Sequence, residues 1–167
     1  MAGLIDDFIS VLETQAGNYA NLLGLSREKK DAVLRNDIEY LQKITELENT
    51  VITRNQRLDK KRGAVLDDIA LVLNKKPADL TFAALLKMHE GMPEYDRLAK
   101  VQAEIKSSLD ALKIINEQNN VLIKNSLEYI EFSMNVIRGS MTQEAGFYGA
   151  DGEQVDRGGV PFFDAKQ

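Results

Sequence analysis

A chain of 167 residues with 44% hydrophobic and 28% charged side chains is long enough for one domain with a real core plus a tail, and too short for two ordinary domains. No Trp and only three Pro favour long helices over a sheet-rich fold, so the expected class is all-α. A net charge of -5 argues against a nucleic-acid-binding surface, and the lack of cysteine excludes disulfides and thiolate metal sites.

The opening Met1-Ala-Gly-Leu-Ile-Asp-Asp-Phe carries two early acids and no basic stretch, and no apolar run approaches the ~18 residues of a membrane span. The expectation is a cytoplasmic protein without membrane insertion. From Leu4 to Val33, steps of three and four run through Ile5, Phe8, Leu12, Tyr19 and Leu22, with Gln15 in one core slot. This is the pattern of an amphipathic helix, its seam weakening at Ser26 and Lys29. Asn36-Asp37 then supplies a capping residue before Ile38 and predicts a tight turn. A second helix follows through Leu41, Ile44, Val51, Leu58, Val65, Ile69 and Val72, while Glu48, Asn55 and Arg62 hold seam slots and Leu47 sits beside the stripe. It should return antiparallel to the first. Asn74-Lys-Lys-Pro77 is expected to stop it through the proline. Leu80 to Met88 reads as a short helix or plug, and Pro93 suits the first position of a third long helix.

That third pattern runs from Pro93 to Arg138, roughly 46 residues or on the order of 70 Å. Its apolar set includes Tyr95, Leu98, Val101, Ile105, Leu109, Leu112, Ile115, Leu122, Ile123, Tyr129, Ile130, Phe132, Val136 and Ile137, and these positions drift around the helix instead of keeping one seam. A broad stripe serves a helix that touches two neighbours, or one neighbour and a visiting partner. Helices of roughly 33 to 37 residues cannot cover it from end to end. Gly139 is expected to break the helix. Beyond Arg138 lie six of the eleven glycines and three of the six phenylalanines, so the expected division is a helical bundle over 1–138 and a flexible glycine-rich, aromatic tail over 139–167. From Phe147 on, burying four aromatics yields about 6 to 12 kcal/mol. Ordering some twenty residues costs on the order of 20 to 40 kcal/mol, so this stretch cannot form a core of its own.

Chemistry is sparsely provided. His89 is the only histidine and Leu86 stands three residues before it, so no Glu-x-x-His pair exists for a carboxylate-bridged metal centre. No glycine-rich phosphate loop or Cys/His pair is present, and neither enzyme activity nor a cofactor is expected. Arg54, Arg57, Lys60, Lys61 and Arg62 read as a solvated face balanced by Glu48 and Asp59. Asn116, Asn119, Asn120 and Asn125 form a polar layer amid apolar neighbours, the device that fixes helix register.

The stretch Asn116-Glu-Gln-Asn-Asn-Val-Leu-Ile-Lys-Asn-Ser-Leu-Glu-Tyr-Ile-Glu, the later Tyr148-Gly-Ala-Asp-Gly152, and the upstream Leu34-Arg-Asn-Asp-Ile-Glu-Tyr-Leu and Thr45-Glu-Leu-Glu resemble the FlgN family of flagellar export chaperones. The resemblance implies a cytoplasmic chaperone that uses no nucleotide or metal. It would hold hook-associated proteins of the FlgK and FlgL types, keep them unassembled and deliver them to the flagellar type III export gate. The expected architecture is an elongated antiparallel bundle of three long helices with a short connecting helix. Leu122, Ile123, Tyr129, Ile130, Phe132, Val136 and Ile137, with Phe147, Tyr148, Phe162 and Phe163, are the expected partner contacts, and Tyr148 is also the candidate for the export gate. Val160-Pro-Phe-Phe163 departs from a polar ending, which leaves open whether it meets substrate, gate or the chaperone's own groove. The competing reading is a coiled-coil adaptor that forms a structural homodimer.

Overall fold

Two asparagines end the first two long helices in the same way. In the computed structural model, which describes residues 2–147 and the side chains of residues 3–141, α1 (Ala2–Leu34) and α2 (Ile38–Val72) are each followed by an asparagine in the left-handed region. These are Asn36 at φ 54 and Asn74 at φ 52, and asparagine is one of the few residues that tolerates this conformation. The Asp37 N–H donates back to the Ala32 carbonyl at 3.0 Å and the Lys75 N–H to the Ala70 carbonyl at 2.9 Å, covering carbonyls that would otherwise lack donors. Asp37 starts α2 at once, its carboxylate accepting from the Tyr40 N–H at 3.0 Å. The expectation that Pro77 stops the second helix is therefore corrected. Asn74 does so three residues earlier, and Pro77 opens a 3-10 turn (Pro77–Asp79).

A short helix α3 (Phe82–Met88) follows, capped by Thr81, whose hydroxyl accepts from the Ala84 N–H at 3.2 Å. Gly91 at φ 82 makes the turn into α4 (Pro93–Phe147). The expected break at Gly139 does not occur: α4 continues through it to Phe147. A lone glycine inside a helix costs roughly 0.5–1 kcal/mol relative to alanine, and without a positive φ or a following proline nothing makes it a stop. Among the described residues all regular structure is helical, as the composition led one to expect.

The chain divides into two compact units, Met1–Ser126 and Leu127–Gln167. In the first, α1 and α2 form the closest pair and run antiparallel, since Gln15 meets Asp59 and Arg62, Asn18 meets Asn55, and Lys29 meets Glu48. The first part of α4 runs parallel to α1: Arg97 forks onto Asp6 and Glu13, and Asn119 reaches the Ser26 carbonyl. Burial on α4 within this unit follows one seam through Leu98, Val101, Ile105, Ser108, Leu112, Ile115, Asn119, Leu122 and Ser126. Within this unit, then, burial keeps to a seam where drift was expected, and Leu109 lies off the seam and exposed. Val72, at the last turn of α2, is also exposed despite its seam slot.

Apolar packing gathers in two clusters. The larger joins Ile5, Phe8, Ile9 and Leu12 to Val65, Ile69, Leu98 and Val101, with Leu80 and Leu85 closing it from the connecting segment. The smaller joins Leu25 and Ala32 to Ile44 and Val51 beside the α1–α2 turn. Polar layers lie in register with the seams. Gln15 donates to Asp59 at 2.7 Å and accepts from Arg62 at 3.2 Å, while Arg62 pairs with Asp59. Further along, Ser26 and Lys29 of α1 face Glu48 of α2, and the Ser26 hydroxyl lies 3.2 Å from the Asn116 amide oxygen of α4.

Replacing Glu48 by alanine strands the largely buried Lys29 ammonium, a loss of about 2 kcal/mol once its partial exposure is allowed for. The expected thermal midpoint falls by about 5 °C, and a Lys29→Met/Glu48→Ala double variant recovers part of it; an unchanged midpoint for the single variant would show the pair to be dispensable. A second check concerns Tyr40, whose hydroxyl donates to Glu28 at 2.5 Å, so that its pKa is held above the ordinary 10.0. The native state then binds the proton more tightly than the unfolded chain, and the contribution is complete below about pH 10 and lost as pH rises through the raised value. Chemical denaturation across that range is expected to show a steeper alkaline loss for the parent than for Tyr40→Phe.

Candidate partner-binding surface

Past Ser126 the α4 side chains stop being buried. Leu127, Tyr129, Ile130, Phe132, Met134, Val136, Ile137 and Met141 are all exposed, Tyr129 at 72% and Phe132 and Met141 at 66%, and none belongs to either core cluster. Single exposed apolar residues are ordinary, but a contiguous set of this size is a candidate interaction surface.

Their spacing shows how the surface is built. Leu127, Ile130, Met134, Ile137 and Met141 follow steps of three, four, three and four, the seam of a coiled coil. Tyr129, Phe132 and Val136 form a second stripe. Ser133 and Ser140 lie between the two, and each satisfies its hydroxyl on the helix itself, Ser133 donating to the Tyr129 carbonyl at 2.9 Å and Ser140 to that of Ile137 at 2.8 Å. At 100° per residue these positions span roughly 220° of the circumference. A helix that lies on one core needs a stripe of only about 100°, so a single neighbour would leave much of this arc wet. Glu128, Glu131, Asn135 and Arg138 make up the remaining polar strip.

Of the contacts expected from sequence, Tyr129, Ile130, Phe132, Val136 and Ile137 lie together on this exposed arc. Leu122 and Ile123 do not: both are half-buried in the first unit. Ile123 lines a cavity of about 350 Å³ there, together with Tyr19, Ser26, Lys29, Glu48 and Asn119. The Asn119 side chain is 2% exposed and its amide oxygen has no partner, so this cavity suits a bridging water. Of the asparagine layer, Asn119 and Asn116 meet Ser26, whereas Asn120 and Asn125 are exposed. Phe147 is the last helical residue, its side chain outside those described, and Tyr148, Phe162 and Phe163 lie outside the described residues. Sequence reasoning missed Leu127, Met134 and Met141; the seven-residue repeat is the signal that finds them.

The remaining candidates take structural roles. His89 is buried at the end of α3, where Nδ1 lies 2.8 Å from the Leu85 carbonyl. Arg54, Arg57, Lys60 and Lys61 are exposed, while Arg62 is half-buried in the Gln15 layer. Among the described residues no His, Asp or Glu side chains gather in a group able to hold a metal ion, and no helix is long and apolar enough to cross a membrane.

The family described as FlgN protein matches residues 1–156, a span that takes in every described helix. The chain belongs to the FlgN family. No curated protein and no solved structure matched it. FlgN membership makes this a flagellar export chaperone in general terms, and an exposed apolar helix face is what such a chaperone needs in order to engage another protein. In this FlgN protein the face continues through Gly139, where a Cβ would meet nothing within 4 Å. Gly139→Ala is therefore expected to stabilise the last turns of α4 by about 0.5–1 kcal/mol, read as roughly two- to fivefold slower amide hydrogen exchange around it. Unchanged exchange would mean that this stretch does not hold a helix in solution.

Proposed function

We propose that the arc of α4 from Leu127 to Met141 receives an amphipathic helix of a hook-associated protein of the FlgK or FlgL type. The chaperone holds this client in the cytoplasm, prevents its premature assembly and delivers it to the export gate. The observation that carries the reading is the eight-residue apolar set left exposed on one helix of a chain in the FlgN family. Completing the burial of these side chains is worth on the order of 1 kcal/mol each at about 25 cal/mol per Å². Association consumes roughly 4–15 kcal/mol of that gross gain, so the surplus is small. Small surplus means reversible holding, which suits a chaperone that must release its client. Phe147, Tyr148, Phe162 and Phe163 extend the apolar surface in sequence and are proposed as further contacts, within a tail taken as 139–167. Tyr148, in the segment that resembles the family, is assigned to the export gate.

Ile130→Asp and Ile137→Asp test the client site. Because both residues are exposed, the thermal midpoint is expected to hold, while capture of purified hook-associated proteins falls tenfold or more, the equivalent of about 1.4 kcal/mol. Undiminished capture by both variants would remove this face from the mechanism. Tyr148→Ala is expected to keep capture and lose secretion; loss of capture instead would assign the ring to the client.

A further inference from the structure

The first unit holds a buried acceptor that no described residue satisfies. The Asn119 side chain is 2% exposed and donates its amide nitrogen to the Ser26 carbonyl at 2.8 Å. A carbonyl only accepts, so this bond fixes which way round the amide lies, and its oxygen is left without a donor. Asn119 lines the cavity of about 350 Å³ walled by α1, α2 and α4. We propose that this cavity binds a neutral primary amide, the side-chain head of a glutamine or asparagine carried by a bound polypeptide. The inference uses the first unit alone and does not rest on the client reading.

Charge makes the first selection. Among the described residues that line the cavity, Lys29 and Glu48 are the only charged ones, and they pair with each other. A cation entering here competes with the Lys29 ammonium and an anion meets the Glu48 carboxylate, so either gives up hydration without gaining a free opposite charge. A neutral ligand avoids both. Hydrogen bonding narrows the class further. The ligand has to bring an N–H or O–H to the Asn119 oxygen. Asn116 and Asn120 stand on the same α4 wall, and the Ser26 hydroxyl engages Asn116 through its oxygen at 3.2 Å, which leaves the Asn116 amide nitrogen to donate elsewhere. A primary amide carries both complements on one planar head: its nitrogen donates to Asn119 while its oxygen accepts from Asn116 or Asn120.

Size and walls agree with this. One water takes up about 30 Å³, so a water on Asn119 leaves most of the space to fill. Leu22, Ile52, Leu112 and Ile123 make much of the remaining lining apolar, where further waters find few partners. A methylene stem suits those walls and carries the amide head inward. Ile52 is 42% exposed, and Asn116 and Asn120 are exposed as well, so the mouth lies between α2 and α4 and the ligand enters from solvent. Free glutamine would bring an ammonium and a carboxylate to this mouth, both of which lose water there. Within a polypeptide those two groups are peptide amides, which favours a bound chain as the source.

Nuclear magnetic resonance titration of the full chain tests the site, followed at the backbone amides of Ser26 and Asn119. The probe is N-acetyl-glutamine methylamide, and N-acetyl-methionine methylamide is a control of similar length without a side-chain N–H. The glutamine probe is expected to give saturable shifts at both positions and to bind about tenfold or more tighter than the control. Asn119→Leu removes the acceptor and is expected to abolish that difference. Ile52→Trp fills the mouth from an exposed position, leaves the hydrogen bonds untouched and is expected to weaken both probes, which keeps the test decisive where the first variant loses its fold. Circular dichroism of each variant checks that fold. Equal binding of the two probes, no saturable shift, or binding undiminished in Ile52→Trp overturns the proposal and leaves the cavity to water. Tighter binding of free glutamine than of the capped probe overturns the assignment to a polypeptide. None of these results touches client capture, which is measured separately.

Discussion

The ion pair between Lys29 and Glu48 sets the alignment on which the first unit depends. It sits where three helices meet: Lys29 and Ser26 come from α1, Glu48 from α2, and Asn116 and Asn119 from α4. An apolar coil can slip by a heptad and still bury leucine against leucine. A charged and amide layer cannot, because any slip leaves a buried carboxylate or amide without its partner. Once this layer is made, the regular three-and-four spacing places Gln15 against Arg62 and Asn18 against Asn55 along the first pair of helices. The two apolar clusters then fill the space to either side.

The contrast with the later part of α4 is one of supply. Up to Ser126 the α4 seam is buried or half-buried, with Leu98, Val101 and Ile105 packed in the larger cluster and Asn119 on the Ser26 carbonyl, and it alternates apolar residues with Ser108, Asn119 and Ser126. Beyond that point the apolar content rises while burial falls. A helix segment evolved for solvent would carry charge here. This segment carries isoleucine, phenylalanine and methionine around more than half its circumference, the feature on which the proposed client site rests.

Much of this could be read from the residues. The first two seams survive polar substitution because spacing, not composition, carries the signal, so Gln15, Glu48, Asn55 and Arg62 were identifiable as seam positions. Asp37 was identifiable as a cap because a carboxylate directly before an apolar run has few other uses there. The seam of α4 was harder. It passes through Ser108, Asn119 and Ser126, while Leu109 lies off it, so apolar content alone points in several directions. Gly139 misled for a related reason: its penalty is small and its neighbours decide whether it matters. Leu122 and Ile123 looked equivalent to Ile130 and Ile137, and only tertiary packing separates the half-buried pair from the exposed one.

The hydroxyls of Ser133 and Ser140 turn inward to their own backbone, and that small detail bears on the selectivity of the proposed client site. Tyr129 then carries the one exposed hydroxyl of the apolar set, and the thioethers of Met134 and Met141 can reshape around different contours. Discrimination then falls to the charges at its border, which tolerate many apolar sequences and reject only mismatched polarity. On the proposed reading such a surface would grip broadly, accommodating unlike visitors by changing rotamers instead of architecture.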